Sequence, residues 1–269
     1  MDAVLRLTVD AGNSSVKLVL WEADVPRERA RLAWSEDLAA QLAAFLEPHP
    51  RVPAAGLSSV AGEARTGLLS ELLEHHVGEV CVAPDSGMEN RTREPWTVGR
   101  DRLYAARAAV TLVGGPVLVV DAGTALTVDA AEAPSAVSPR GADATPGASG
   151  VFLGGAIAPG PALLARALDR AGGGTADLPA VDPVPSVPAL GRTTPEAMRS
   201  GIAVGFRGAA IELAERIALE AGPAFAAAPV VVCGGALAFL DEAFSRPTRI
   251  EPDLVARGLL LALDAPRAR

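Results

Sequence analysis

Two segments of this 269-residue chain share one pattern, Leu7-Thr8-Val9-Asp10-Ala11-Gly12-Asn13 and Leu118-Val119-Val120-Asp121-Ala122-Gly123-Thr124. The two aspartates are 111 positions apart (121 − 10), a little under half the length. Each time an apolar run ends on Asp-Ala-Gly and a second apolar run follows, as in two strands joined by a tight turn. A match over seven positions, each between two strands, predicts a duplicated fold with two lobes built on one plan. The division is placed at residues 1–114 and 115–269.

The rest of the chain alternates strand and helix signals, which predicts the α/β class. Strands are expected at Val4–Val9, Val16–Trp21, Ala54–Val60, Val80–Ala83, Val117–Val120, Val151–Ile157 and Pro229–Cys233. Helices are expected at Leu38–Leu46, Glu63–His75, Leu103–Val113, Gly160–Ala171, Pro195–Glu220 and Asp253–Leu263. Thr194 reads as the N-cap of the long helix, with Pro195 at its first position. A polar loop is expected at 85–99, an Ala/Pro/Ser/Gly-rich insert at 131–150 and irregular chain at 172–190.

Composition excludes some functions. Hydrophobic residues are 49% and charged residues 21%, enough apolar side chain for a sizeable core. The net charge of −8 argues against a nucleic-acid surface, whose affinity needs clustered cations. Lys17 is the one lysine, and the arginine and alanine bias is read as coding preference, not a binding signal. Asp2, Arg6, Asp10 and Lys17 interrupt the N-terminal segment, so neither a signal-peptide core nor a membrane span is expected, and the chain reads as cytoplasmic. Cys81 and Cys233 sit in separate apolar runs and are expected as buried free thiols. His49, His75 and His76 lack metal-ligand spacing and are expected at the surface.

Four motifs can carry chemistry. In Asp10-Ala11-Gly12-Asn13-Ser14-Ser15 the glycine lets backbone N–H groups approach phosphate oxygens, and the aspartate can hold a magnesium ion. Alone, the motif reads first as an Asn-containing hairpin turn; its second copy at Asp121–Ala125 reverses that preference and favours a pair of turns gripping a nucleotide tail. In Gly99-Arg100-Asp101-Arg102 a carboxylate flanked by guanidinium groups stays ionised and can take a proton from an alcohol. Asp101 also reads as the N-cap of the helix that follows. Gly154–Gly160 and Gly234-Gly235 join strands to helices, allowing close backbone approach to a ligand or to a packed neighbour. A P-loop and a dinucleotide fingerprint are both absent.

Taken in order, these motifs resemble the type III pantothenate kinase family of the acetate and sugar kinase/Hsp70/actin superfamily. The matching residues are Asp10–Ser14, Ser58-Ser59-Val60, Pro95 with Val98–Arg102, Asp121–Ala125, Gly154–Gly160, Leu178-Pro179, Gly191-Arg192-Thr193-Thr194, Ser200-Gly201 and Gly234-Gly235. The resemblance implies an actin-like (ribonuclease H-like) fold, two lobes with mixed central sheets flanked by helices. It implies ATP-dependent phosphorylation of pantothenate to 4'-phosphopantothenate, the first step of coenzyme A biosynthesis. By the same likeness Asp10, Ala11, Gly12, Asn13, Ser14, Ser15, Val16 and Lys17 with Thr124 meet ATP, and Asp101 is the proton acceptor. Gly99, Arg100, Asp101, Arg102 and Thr194 meet pantothenate, and Asp121 holds a monovalent cation, K+ or NH4+, beside the Mg2+ of the nucleotide. A homodimer is implied.

Three positions depart from the family pattern. Arg100 stands where alanine is usual, Thr92 replaces a tyrosine, and the 131–150 insert is long. Two other readings stay open: a catalytically silent accessory factor, and a kinase or phosphatase of the same superfamily acting on another small alcohol.

Overall fold

The computed structural model describes residues 4–134, 148–171 and 180–265, apart from the side chains of residues 170 and 171. Leu178-Pro179 and most of the 131–150 insert lie outside the described residues. The described residues cluster into two units, the first comprising 4–112, 134, 148–151 and 253–265 and the second 113–133, 152–171 and 180–252.

In the first unit, β1 (Leu5–Ala11), β2 (Ser15–Glu22) and β3 (Val25–Ala33) form an antiparallel meander. Two strands, β4 (Val52–Ser59) and β5 (Val77–Val82), continue from β1 in parallel, giving the order β3-β2-β1-β4-β5. One face of this sheet presents Leu7, Val9, Val16, Leu18 and Leu57 to Leu38 and Leu42 of α1 (Leu38–Leu46) and Leu69 and Leu73 of α2 (Glu63–Glu74). Period-two alternation puts Thr8, Asp10, Val19 and Trp21 on the opposite face. The short strand β6 (Met88–Asn90) and the helix α3 (Arg100–Val113) follow.

The second unit repeats the plan. β7 (Val117–Ala122) and β8 (Ala125–Glu132) pair antiparallel, and β9 (Gly150–Pro159) lies next to β8. β10 (Val230–Cys233) and β11 (Thr248–Ile250) continue from β7 in parallel, giving β9-β8-β7-β10-β11, the first unit's order strand for strand. The sheet buries Leu118, Val120, Leu126, Val128 and Val230 under Phe206, Ala210 and Ala214 of the long helix α5 (Thr194–Ala221), beside α4 (Pro161–Ala171). Two mixed sheets flanked by helices, with matching strand order, carry the α/β class and the duplication.

The last helix, α6 (Leu254–Leu263), departs from the division at 114/115, because residues 253–265 cluster with the first unit. The reason is packing. Ala256 and Leu260 join Val19 and Trp21 in one buried cluster, and Leu259 meets Gly56 of β4. Gly258 lies so close to the backbone of Tyr104 that a Cβ there would overlap its carbonyl oxygen, so α6 and α3 touch backbone to backbone. Arg29 of β3 adds a charged pair with Asp253, 2.6 Å.

β3 is a strand to which the sequence signals assign no element: its sequence, Val-Pro-Arg-Glu-Arg-Ala-Arg-Leu-Ala, has almost no buried position, and it forms because β2 offers an edge to pair with. Three other expectations are corrected. The loop at 85–99 contains β6 and a single 3₁₀ turn at Pro95–Thr97. Thr193, not Thr194, caps α5: it is extended at φ −130° and ψ 160°, and its hydroxyl accepts from Glu196 N–H, leaving Thr194 as the first helical residue and Pro195 as the second. Cys233 is buried but Cys81 only half-buried, and neither is in a disulfide.

Candidate functional site

In the first unit the candidate residues converge on the carboxyl ends of β1, β4 and β5. Asp10 is the second-last residue of β1 and lies opposite Lys17 across β2 and Ser58 across β4. The Lys17 Nζ comes within 3.6 Å of an Asp10 carboxylate oxygen, with Asp10 nearly buried and Lys17 half exposed. The chain's one lysine is therefore an ion-pair partner of the first aspartate. Ser58 is fully buried, and its hydroxyl has no hydrogen-bond partner among the described residues. Beyond Asp10 the turn closes through Gly12 N–H to Ser15 O at 3.0 Å, leaving Asn13 and Ser14 exposed between buried strands.

Asp101 reaches the same end of the sheet through α3. Chain leaving β5 is bound to β4 by Ala83 N–H to Leu57 O at 2.7 Å, and Ala83 sits at φ +50°, a conformation strained for a non-glycine residue. Three side chains of α3 lace this segment down. Arg100 Nη1 donates to Ala83 O at 3.0 Å, Tyr104 Oη to Pro84 O at 2.6 Å and Arg107 Nη1 to Ser86 O at 2.6 Å. Positions 100, 104 and 107 recur at i, i+4 and i+7, so one stripe of the helix does all three jobs. Burial pushes the Tyr104 hydroxyl up to about 12, with Arg100 opposing, and pulls the Arg107 guanidinium below its ordinary value, with Asp85 opposing. This polar stripe was missed in the sequence reading, although Arg100-x-x-x-Tyr104-x-x-Arg107 in an alanine-rich helix is a legible signal.

The lacing has two consequences for the motif at 99–102. Asp101 lies inside the first turn of α3, not at its cap, and its Oδ1 accepts from Arg102 N–H at 2.9 Å. A Cβ on Gly99 would overlap that oxygen, so glycine leaves the space into which the carboxylate folds. Arg100, the departure from the family pattern, is committed to the Ala83 carbonyl. Thr92 donates its N–H and hydroxyl to Asn90 Oδ1, at 3.1 and 2.8 Å.

In the second unit the equivalent position is built from glycines. Asp121 faces Thr127 across β8 and Cys233 across β10. Gly123 N–H closes the turn onto Ala125 O at 2.9 Å, and Thr124 is exposed. Gly234, at φ +103°, lies against Ala122 O and Asp121 Oδ1, while Gly160 lies against Gly123 O and Thr124 O. Any Cβ at either position would overlap those atoms. Gly155 abuts Val128 O and Asp129 in the same way. These glycine turns make close packed-neighbour contacts. Gly191 packs on the backbone of the first turn of α5, and Arg192 N–H donates to Glu196 Oε2 at 2.8 Å. Thr194, the first residue of α5, is exposed and outside the cap.

Among the described residues no cluster of three or more His, Cys, Asp or Glu side chains fit to hold a metal ion is present. Asp10 as a single carboxylate fits a magnesium ion ligated mainly by phosphate oxygens and water, as is usual for that ion. Glycines 123 and 234 keep the space beside Asp121 Oδ1 free of side chains, which fits a cation held by the carboxylate. The histidines meet elsewhere: His49, His75 and His76 line a pocket of about 250 Å³ at the start of β4, where His49 pairs with Glu28 at 2.9 Å. Within the described residues no helix is long and apolar enough to cross a membrane.

Comparison with known proteins agrees with the order of the motifs. A family model described as type III pantothenate kinase matches residues 6–216. The type III pantothenate kinase of Rhodospirillum centenum is 34% identical over 98% of this chain and 100% of its own length. Those of Rubrobacter xylanophilus and Thermus thermophilus are 31% and 32% identical, covering 98% and 95% of this chain and 100% and 97% of theirs.

Proposed function

The chain belongs to the type III pantothenate kinase family, which phosphorylates pantothenate with ATP in coenzyme A biosynthesis, and we propose how its residues divide that work. Asp101 is the proton acceptor. The pantothenate hydroxyl oxygen attacks the γ-phosphorus in line, the bond to the β–γ bridging oxygen breaks, ADP leaves, and the hydroxyl proton passes to the Asp101 carboxylate. Phosphoryl transfer needs positioning and charge neutralisation more than covalent chemistry, so most of the site consists of groups that hold.

Residues Asp10 to Lys17 take the phosphates of ATP through the turn's backbone N–H groups and the Asn13, Ser14 and Ser15 side chains. Thr124 contributes from the second turn. Asp10 is the side chain that would hold a magnesium ion arriving with the nucleotide, which would supply phosphate neutralisation. Asp121 would hold a monovalent cation. Gly99 to Arg102 and Thr194 receive pantothenate, and the protein acts as a cytoplasmic homodimer.

The observation that carries this reading is the laced start of α3. It brings Asp101 to the carboxyl end of the sheet that also ends in Asp10, the edge where α/β proteins bind their ligands.

The test is a coupled assay with ATP, magnesium, potassium and pantothenate, the product identified by mass. Asp101→Asn is expected to lower kcat by about 10²- to 10⁴-fold with an unchanged melting temperature. An Asp101→Asn protein working at the wild-type rate sinks the assignment. Omitting potassium tests Asp121: activity that survives its omission, and that of ammonium, removes the cation role.

A further inference from the structure

The turn between β1 and β2 is gripped by two side chains to which the assignments above give no task. Trp34, just past the end of β3, donates Nε1–H to Gly12 O at 2.8 Å. Arg65, in the first turn of α2, donates Nη1–H to Asn13 O at 3.2 Å. The two are also stacked on each other, the Arg65 guanidinium lying 4.7 Å from the centre of the Trp34 ring. Two consecutive carbonyls of one turn are thus tied to a single cation–π pair.

The consequence follows from peptide geometry. A trans peptide is planar, and its C=O and N–H point in opposite directions. Pinning Gly12 O and Asn13 O therefore sets the direction of the next two amides, the N–H groups of Asn13 and Ser14, and turns both away from the stacked pair. Successive N–H groups facing one way form a concavity suited to an anion. Asn13 and Ser14 are exposed, whereas Ala11 and Val16 on either side are buried.

We propose that Trp34 and Arg65 are positioning residues for ATP, a clamp on the outer side of the turn that holds its amides towards the triphosphate. This rests on the assignment of Asp10–Lys17 to the phosphates. Neither residue needs to touch the nucleotide; each acts through a carbonyl it bonds. The competing account is simple attraction, because Arg65 is exposed and carries a charge that favours a polyanion at a distance. Trp34 separates the two, since Trp34→Phe removes the bond to Gly12 O without changing any charge. Arg65→Lys also separates them, because an ammonium keeps the charge but loses the planar group that both stacks and donates.

The experiment compares the full-length wild type with Trp34→Phe, Arg65→Met, Arg65→Lys and Asp10→Asn. Readouts are the KM for ATP, the KM for pantothenate, calorimetric affinities for ATP and AMP with magnesium, and the melting temperature. Trp34→Phe, Arg65→Met and Arg65→Lys are each expected to weaken ATP by about two- to fivefold, the range expected of one exposed cation–π contact. The pantothenate KM and the AMP affinity are expected to stay at wild-type values. Arg65 is exposed, so its variants keep the test open if Trp34→Phe folds poorly. Wild-type ATP affinity in both Trp34→Phe and Arg65→Met overturns the clamp, as does full recovery in Arg65→Lys alongside an unaffected Trp34→Phe. An Asp10→Asn protein that also binds ATP like the wild type overturns the assignment of the turn itself; loss in Asp10→Asn alone overturns only the clamp.

Discussion

The turn after β1 is supported by side chains that reach in from other elements: Trp34 and Arg65 on its carbonyls, and Lys17 on Asp10. The turn after β7, with the same Asp-Ala-Gly sequence in the same place in the sheet, is supported by backbone. Gly160 and Gly234 lie against the carbonyls of residues 122 to 124 with no room for a Cβ; the bond from Ala236 N–H to Ala122 O at 2.7 Å has its counterpart after β1, from Val60 N–H to Ala11 O at 3.0 Å, so the glycines make the difference. The two means of support fail differently. A side-chain bond can be lost one at a time, each at modest cost, while a backbone contact with no room for a Cβ admits no intermediate state. The first turn is therefore adjustable and the second rigid.

Substitutions at the rigid turn are expected to show the largest effect. Gly234→Ala puts a Cβ into Ala122 O at a φ of +103° that alanine rarely adopts, and Gly160→Ala puts one into Gly123 O. Each is expected to cost about 3 kcal/mol or more, measured by denaturant unfolding. If either alanine variant is as stable as the wild type, the contrast between the turns is wrong.

A middle-sized effect is expected at Tyr104, where side-chain support extends from the first turn to the segment after β5. The folded state holds the phenol proton up to about pH 12, while the unfolded chain releases it near 10. Folded protein thus binds more protons in that window, and stability falls as pH rises from 10 to about 12. The loss is on the order of 2 kcal/mol. Tyr104→Phe leaves Pro84 O without its donor, a cost of about 1–2 kcal/mol at neutral pH, and should flatten the alkaline decline. Melting temperatures between pH 8 and 12 check both; an equally steep decline in Tyr104→Phe assigns it to another group.

The smallest effect is expected at Ser58. Its buried hydroxyl has no partner among the described residues, so Ser58→Ala removes an unsatisfied group and should change stability by no more than about 0.5 kcal/mol. A loss above about 1.5 kcal/mol would mean that the hydroxyl is satisfied in solution, as an ordered water would allow.

Much of the site was legible because its signals are local. Asp10 and Asp121 each stand between two β-branched runs, and the glycine that follows marks a turn whatever surrounds it. Asp101 stands out as a candidate in the same way, as a carboxylate between arginines before an alanine-rich helix. The support around these residues was not legible. Trp34 is 22 positions from Gly12, and Arg65 is 52 from Asn13, separations at which no pattern in the chain announces a contact. Thr193 and Thr194 are chemically alike, and only backbone conformation decides which of them caps α5.

What the order of residues determined by itself was the repeated strand–turn–strand, the alternation of strands and helices, and the family. These depend on periodicity, turn chemistry and motif order, all readable within a few residues. Tertiary structure alone decided that the polar segment 25–33 is a strand, because edge pairing supplies hydrogen bonds that its own composition does not advertise. It also decided that the last helix joins the first unit, because an apolar face shows that burial is needed, not which surface will supply it.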